Sequence, residues 1–250
     1  MTNQTMYEQN VYFPDVFKGC KHDCIYCKPS FQRQAKRQKQ SCKKCYTFEP
    51  HLHPERLQNK APATKGEQFI FFPKGGDLAF AQPHEILELI RYTEKNPQAT
   101  FLIQTKAPEW MRYYKFPDNV ILDITWETNR TTFHTCSNYC EYSEISKANL
   151  TNRISDFLNV KHSRKAITIE PILQFDLSNM VNAISAIRPE FVYVGYDTKG
   201  CKLPEPKLKE TLELLNVLSN KGYKVRPKTL KKAWYESTLL DCEIKDQKPL

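Results

Sequence analysis

The sequence predicts an α/β fold, an open partial (β/α)6 TIM-like barrel with parallel strands. Short apolar segments alternate with amphipathic helical patterns along most of the chain, which is typical of βαβ units and a parallel sheet. About six or seven strands are recognisable, fewer than the eight that close a complete barrel. Polar residues follow directly after several strands, where parallel barrels carry their active sites. A doubly wound sheet is the alternative arrangement.

The individual elements follow from their hydrophobic periodicity. A first strand is predicted at Val11–Phe17 and a last short strand begins at Tyr223. Between them, buried strands are predicted at Gln68–Phe72, Thr100–Thr105, Val120–Thr125, Ala166–Ile169 and Phe191–Val194. Helices are predicted at Pro83–Lys95, Lys147–Leu158, Asn179–Ile187 and Pro206–Lys221. The apolar face of the last helix is assigned to Leu208, Leu212, Leu215 and Leu218.

Length and composition favour one domain over residues 1–250, because hydrophobic residues make up 40% of the chain. No run of about 18 apolar residues occurs, so we expect no membrane partner. The polar start of the chain does not resemble a secretory signal, which predicts a cytoplasmic protein. In that compartment the nine cysteines indicate metal ligands or catalytic thiols rather than disulfides. The net charge of +9 favours nucleic acid as a partner.

A cysteine motif follows the first predicted strand, where the chain reads GCKHDCIYC and places thiols at Cys20, Cys24 and Cys27. Three thiolates can hold three irons of a [4Fe-4S] cluster and leave the fourth iron open to a cofactor or substrate, whereas ferredoxin-type clusters use four cysteines. Soft thiolate donors select an iron–sulfur cluster or zinc. The alternative is a zinc site that recruits Cys42 or Cys45 as its fourth ligand.

This motif, with the aromatic Tyr26 before its last cysteine, resembles the signature of the radical S-adenosylmethionine (SAM) superfamily. Much of the chain is also similar to a phage-associated three-cysteine radical-SAM-like family of largely unassigned function. The matching segments are GCKHDCIYC, FEPHLHPERL, GGDL, FLIQTKAP, ILDITWETN, ITIEPIL, VYVGYDTKG and KVRPK. The resemblance implies an open (β/α)6 barrel, a [4Fe-4S] cluster, bound SAM and an electron donor such as flavodoxin or ferredoxin. His22 and Tyr26 would flank the cluster.

The resemblance also assigns candidate SAM contacts at Gly75, Gly76 and Asp77. The run resembles the glycine-rich motif whose backbone contacts the amino group of SAM, since glycine permits close backbone approach. The usual third residue is Glu, so Asp77 departs from the pattern. The alternative is a plain turn at the two glycines.

Two further carboxylates follow hydrophobic strands and are candidates for the ribose or methionine of SAM, or for the substrate. They are Glu127 and Glu170; the alternative for each is a structural ion pair or cap. Lys106 also follows a strand and is predicted to pair with one of them or with a substrate phosphate.

A second metal site is a further prediction. Segments 31–47 and 130–146 are interpreted as insertions that bring cysteine pairs to the same barrel face, and four thiolates would suit zinc or a second iron–sulfur cluster. The pairs are Cys42 with Cys45, and Cys136 with Cys140. Unlinked thiols are the alternative, and His51 and His53 are predicted to make structural hydrogen bonds. The very basic Gln32–Lys44 is expected to be an exposed loop.

The resemblance implies the chemistry as well. The reduced cluster would pass one electron to SAM, whose sulfonium bond would break to give methionine and a 5′-deoxyadenosyl radical that abstracts hydrogen from a substrate. The sequence thus predicts a radical SAM enzyme that modifies nucleic acid or a nucleotide. The alternative is a non-enzymatic zinc-binding protein that binds nucleic acid.

Overall fold

The computed structural model of the chain describes residues 7–134 and 139–236. Its strands are β1 (Phe17–Gly19), β2 (His51–Leu52), β3 (Ile70–Phe71), β4 (Gly75–Gly76), β5 (Phe101–Thr105), β6 (Val120–Thr125), β7 (Thr132–His134), β8 (Tyr139–Glu141), β9 (Lys165–Ile169), β10 (Val192–Val194) and β11 (Val225–Pro227). Its α-helices are α1 (Arg33–Ala35), α2 (Lys43–Thr47), α3 (Pro83–Lys95), α4 (Tyr142–Ile145), α5 (Arg153–Leu158), α6 (Leu177–Ile187) and α7 (Leu208–Asn220). Short 3₁₀ helices span Ile25–Cys27, Lys36–Gln38, Pro54–Gln58, Leu78–Phe80 and Pro108–Tyr113, and a π-helix spans Lys28–Gln32.

The main sheet has six strands in the order β3, β5, β6, β9, β10 and β11, and all of its pairs are parallel. The spatial order follows the chain order and never reverses, so the sheet curls into a half-barrel. This confirms the predicted open partial barrel and excludes the doubly wound alternative, in which the strand order would reverse.

A small three-stranded sheet continues the barrel beyond β3. In it β1 pairs parallel with β4 and antiparallel with β2. The first strand therefore begins later than the predicted Val11, whose backbone instead donates to Phe69. This placement matters because the chain runs from β1 directly into Cys20.

The two faces of the main sheet have different surroundings, because side chains alternate along each strand. In β6, Val120, Leu122 and Ile124 pack in the large core under the helices, whereas Ile121 belongs to a smaller cluster inside the barrel. The other members of that inner cluster are Tyr7, Phe69, Phe71, Leu102, Ala166, Phe191 and Tyr193. Nearer the carboxyl ends of the strands, the inner positions become polar and form the floor of a cleft.

Two helices differ from the prediction that hydrophobic periodicity gave, one in its buried residues and one in its length. In α7 the buried residues are Thr211, Leu214 and Leu218, while Leu212 is 48% exposed. Leu212 lies about 120° around the helix from Leu218, so the assigned leucine face was wrong at this position. The predicted helix Lys147–Leu158 is shorter, starting at Arg153. No helix in the described ranges is long and apolar enough to cross a membrane.

The core predicts a simple stability test. Leu122 is fully buried between the sheet and its helices, and Leu122→Ala should lower the free energy of unfolding by about 2–5 kcal/mol, because it removes buried methyl groups and leaves a cavity. Leu212→Ala, on the exposed side of α7, should change it by less than about 0.5 kcal/mol. Urea unfolding of both variants measures the difference, and equal effects would contradict this packing.

Candidate active site at the carboxyl ends of the strands

A cleft of about 1060 Å³ opens at the carboxyl ends of the strands, and a smaller cavity of about 120 Å³ lies beside it. The two share lining residues that include Cys27, Gly75 and Glu170. The larger volume is that of a typical ligand site. The position is the one that parallel barrels use for catalysis.

The three motif cysteines lie together on the wall of the smaller cavity. The loop leaves β1 at Gly19, where φ is +93° and a Cβ would approach the Glu49 backbone to 2.3 Å, so only glycine fits. Cys24 is 3% exposed and its sulfur lies 3.1 Å from the Ser146 hydroxyl. The loop thus presents Cys20, Cys24 and Cys27 to one small cavity.

The electrostatics of these thiols favour a metal cluster. A hydrogen bond from Cys27 lowers the pKa of the Cys24 thiol to about 5, and the same bond raises the pKa of Cys27. Burial raises the pKa of Cys20. Nearby Lys106 favours the ionised form of all three. With their pKa values raised, Cys20 and Cys27 are neutral thiols, and metal ions bound to them would supply the positive charge that favours their ionised forms.

The donor set fits a [4Fe-4S] cluster with one open iron. Three soft thiolates line the smaller cavity, and the described residues around it include no fourth cysteine. Cys42 and Cys45, which would complete a zinc site, are instead grouped with His51 and His53.

Asp77 ties the cysteine loop to the barrel. Its carboxylate is buried, lies 3.1 Å from His22 Nε2, and accepts hydrogen bonds from the Thr105 hydroxyl at 2.6 Å and from the backbone of Lys106 and Ala79. Burial alone would raise the pKa of Asp77, but these bonds, led by the one to His22, hold it below its usual value. A SAM contact for Asp77 stays a prediction, and these bonds occupy both of its oxygens.

Gly75 and Gly76 form β4 against β1, in register with Lys18 and Gly19. A Cβ on Gly75 would meet an Asp15 oxygen at 2.0 Å, and one on Gly76 would meet the Phe17 ring at 2.8 Å. The glycines are therefore needed for close approach between protein segments. Gly75 lines both cavities and Gly76 lines the smaller one, and a SAM contact for either glycine stays a prediction.

Glu127 lies at the centre of a buried ion-pair network. It pairs with Lys106 and with Arg153 Nη1 at 2.7 Å, and accepts hydrogen bonds from the Tyr26 hydroxyl at 2.5 Å and from Tyr142. Burial would raise the pKa of Glu127, but the two cations hold it at about 2. The carboxylate is fully buried and lines neither cavity. These contacts favour the structural ion pair over the predicted cofactor contact.

Glu170 lines both cavities, where Lys228 Nζ lies 2.5 Å from its carboxylate. Lys228 ends the KVRPK segment and directly follows the last strand, β11, so the pair joins the ends of β9 and β11. Of the two strand-end glutamates, Glu170 is the one with access to a ligand. Its role toward SAM or a substrate stays a prediction.

The basic segment forms one wall of the larger cleft. It is helical through the π-helix, α1 and the following 3₁₀ helix, rather than the predicted loop, and most of its cations are exposed. Side chains on one side of these turns line the cleft: Phe31, Gln34, Ala35, Arg37 and Gln38. The opposite wall carries Glu170, Asp197 and Lys228.

The second cysteine set differs from the prediction. Cys42 and Cys45 lie with His51 and His53, and Cys140 does not join them. Cys140 sits in β8 of a separate hairpin, and its thiol donates to the Glu141 carbonyl oxygen at 3.5 Å. Cys136 lies outside the described residues. The histidines were missed as ligands because their spacing is not a common zinc pattern. Five residues separate Cys45 from His51, and one residue separates His51 from His53.

Sequence reasoning also missed Arg153, which is 1% exposed and holds Glu127 from a helix that carries no motif. Its signal would have been a charged residue on the apolar side of α5 beside Phe157. His22 was predicted to flank the cluster, and its bond to Asp77 adds the reason for that position.

Comparison with known proteins adds a structural similarity. No protein-family model matches the sequence, and no curated protein is similar to it. The structure is similar to that of a mutant spore photoproduct lyase with a dinucleoside spore photoproduct, with a TM-score of 0.57, over 88% of this chain and 78% of that chain. The two sequences are 8% identical, so the similarity shows the fold.

The Glu127 network predicts a large loss from a small change. Glu127→Gln should lower the free energy of unfolding by about 3–5 kcal/mol at neutral pH, because it leaves Lys106 and Arg153 buried without their counter-charge. The folded pKa of about 2 lies below the ordinary 4.5, so the glutamate stabilises above about pH 4.5 and this contribution is lost as the pH falls toward 2.

Denaturant unfolding of the wild type and the variant across that pH range measures the effect. The difference in unfolding free energy between the wild type and Glu127→Gln should disappear as the pH approaches 2. Glu88→Gln, on the exposed face of α3, is the control and should leave stability unchanged. A constant gap from neutral pH to about pH 2 would show that the charge of Glu127 is not what stabilises the fold.

Proposed function

We propose that this chain is a radical SAM enzyme that modifies a nucleic acid or a nucleotide. One observation carries the proposal: Cys20, Cys24 and Cys27 line the same small cavity at the strand ends, without a fourth described cysteine. The half-barrel fold and its similarity to spore photoproduct lyase support it. We further propose membership of the phage-associated family and a cytoplasmic location, where thiols stay reduced.

In this proposal the cofactors would supply the radical chemistry, and the chain would bind and orient them. When bound, a [4Fe-4S] cluster and SAM would supply one-electron reductive cleavage of the sulfonium and abstraction of a hydrogen atom from a substrate. Cys20, Cys24 and Cys27 would ligate the iron, and a donor such as flavodoxin or ferredoxin would supply the electron. The Asp77–His22 bond orients the cysteine loop, and Phe48 and Phe71 exclude water.

The cleft charges support an anionic substrate. Six cationic and three anionic side chains line it; the cations are Lys18, Arg37, Arg56, Lys74, Lys199 and Lys228. Tyr12, which is 72% exposed with Lys74 above its ring, offers a surface on which a base could stack. Spore photoproduct lyase was solved with a dinucleoside ligand, which agrees with a substrate of this class.

The alternative is a non-enzymatic zinc protein that binds nucleic acid. The Cys42, Cys45, His51 and His53 group favours a zinc ion. That group leaves the three motif cysteines without a role, however, so the enzyme proposal accounts for more of the structure. Iron and sulfide analysis separates the two.

Cys24→Ala should remove most of the iron from anaerobically reconstituted protein, because a cluster with an open iron has only three protein ligands. Iron and sulfide assays, together with the visible absorbance of the cluster, measure the loss. Cys201→Ala is the control, since Cys201 is half-buried and lines neither cavity. Wild-type protein that takes up no iron and sulfide would rule out the enzyme.

The exposed cations of the basic segment, of which Arg37 lines the cleft, predict that nucleic-acid binding weakens as salt rises. Changing Arg33, Lys36, Arg37 and Lys39 to Gln should weaken binding to DNA or RNA and flatten its dependence on salt, because each lost phosphate contact reduces the slope of log K against log salt by about 0.7–0.9. Affinity measured at several salt concentrations tests this.

The control is a matched set of four exposed lysines on other faces, changed to Gln: Lys95, Lys161, Lys209 and Lys221. It lowers the net charge equally and should leave more of the affinity and slope intact. If both quadruple variants bind alike, the binding is non-specific attraction to a basic protein. If the wild type binds neither DNA nor RNA, the nucleic-acid substrate is wrong.

A further inference from the structure

Four metal-binding side chains converge outside the cluster cavity. The sulfurs of Cys42 and Cys45 and one nitrogen each of His51 and His53 all lie within 4.8 Å of one another. The Cys42 and Cys45 sulfurs are each 3.4 Å from His51 Nε2, Cys45 Sγ is 3.1 Å from His53 Nε2, and the two Nε2 atoms are 3.0 Å apart. Cys45 is 1% exposed and both histidines are 8% exposed. The group is compact and largely closed to solvent.

The hydrogen bonds at the other ring nitrogens fix the state of both imidazoles. His51 Nδ1 lies 2.7 Å from the Glu49 carbonyl oxygen, and His53 Nδ1 lies 3.0 Å from a Glu55 carboxylate oxygen. Both partners accept, so both Nδ1 atoms carry the proton and both Nε2 atoms present lone pairs. Two Nε2 lone pairs that face each other at 3.0 Å suit a metal ion that both histidines coordinate. This arrangement is the usual one for metal-ligating histidines.

The local backbone builds the site from a short segment. Cys42 precedes α2 and its sulfur accepts a hydrogen bond from the Cys45 amide at 3.3 Å. Phe48, at φ +59°, then turns the chain back toward β2. His51 and His53, two residues apart in extended chain, point to the same side and face the thiols.

The distances suit one tetrahedral ion. With Zn–S near 2.3 Å and Zn–N near 2.0–2.1 Å, tetrahedral geometry places sulfur and nitrogen ligands about 3.6 Å apart and two nitrogens about 3.4 Å apart. The observed contacts are within about 0.5 Å of these values. In a two-iron cluster the histidines would bind one iron and the cysteines the other, which would separate Cys45 from His53.

We propose that Cys42, Cys45, His51 and His53 bind one structural zinc ion. Four protein ligands fill its coordination sphere, so the ion is not catalytic. It joins α2 to β2, and β2 pairs with β1 so that His51 lies opposite Lys18, two residues before Cys20. The ion therefore links the end of the basic segment, at α2, to β1, the strand that leads into Cys20.

Metal analysis of the purified full-length protein tests the site directly. Wild-type protein should contain close to one zinc per chain, and Cys45→Ser and His53→Gln should each reduce zinc at least fivefold. Cys140→Ser is the matched control and should keep its zinc. Absence of zinc from wild-type protein purified without chelators, or equal loss in Cys140→Ser, would overturn the proposal.

Cobalt substitution distinguishes loss of a ligand from loss of the fold. Cobalt(II) in the wild type should give the visible bands of a tetrahedral site with thiolate ligands, and His53→Gln should shift or abolish them while its circular dichroism stays native. Octahedral cobalt spectra in the wild type would contradict the four-ligand site.

Limited trypsin digestion tests whether the zinc ion holds residues 32–44 in place. Removal of zinc should raise the rate of cleavage within residues 32–44 several-fold relative to cleavage elsewhere, because local opening governs proteolysis. An unchanged rate would show that the ion does not hold this segment. Cys24→Ala should lose iron but keep zinc, so the zinc site and the proposed enzyme can fail separately.

Discussion

The cleft depends on one buried carboxylate. Asp77 binds His22 in the middle of the cysteine loop and, through Thr105 and the Lys106 amide, the end of β5. The Lys147 backbone also donates to the His22 carbonyl oxygen, and the Asp77 contact adds the link from this loop to the end of β5. Because a buried carboxylate is costly unless its oxygens are satisfied, this geometry is specific, and it fixes where the three thiols point.

Two other carboxylates at the strand ends, Glu127 and Glu170, each have their own cation. Glu127 is balanced by Lys106 and Arg153 beneath the cavity, and Glu170 by Lys228 on its wall. The thiols of the motif have no such set of partners apart from Lys106. Under the proposed function, the irons of a [4Fe-4S] cluster would supply the positive charge that favours the ionised form of these thiols.

The features that depend on local sequence pattern could be predicted from the sequence. The strands β5, β6 and β9 are short, largely apolar segments separated by helical patterns, so their positions, the parallel sheet and the cleft at its carboxyl end followed from the sequence pattern. The cysteine loop followed from its spacing. Contacts across distant elements did not: Arg153 reaches Glu127 from α5, and Lys228 reaches Glu170 from beyond the last strand. Local spacing carries no information on such pairs.

The second metal group illustrates the same limit within 12 residues. Cys42 and Cys45 were predicted as ligands from their CxxC spacing, but their partners were sought in a distant cysteine pair. The partners in the structure, His51 and His53, depend on the turn at Phe48 that folds β2 back on α2. A turn that rests on one left-handed residue with a bulky side chain gives no turn signal in the sequence.

The most direct test of the proposed radical SAM activity is the formation of 5′-deoxyadenosine by anaerobically reconstituted protein with SAM and dithionite. The proposal predicts that the wild type forms it, with methionine in equal amount, and that Cys20→Ala, Cys24→Ala and Cys27→Ala do not. Cluster-loaded wild type that forms no 5′-deoxyadenosine, or equal formation by a cysteine variant, would contradict the account.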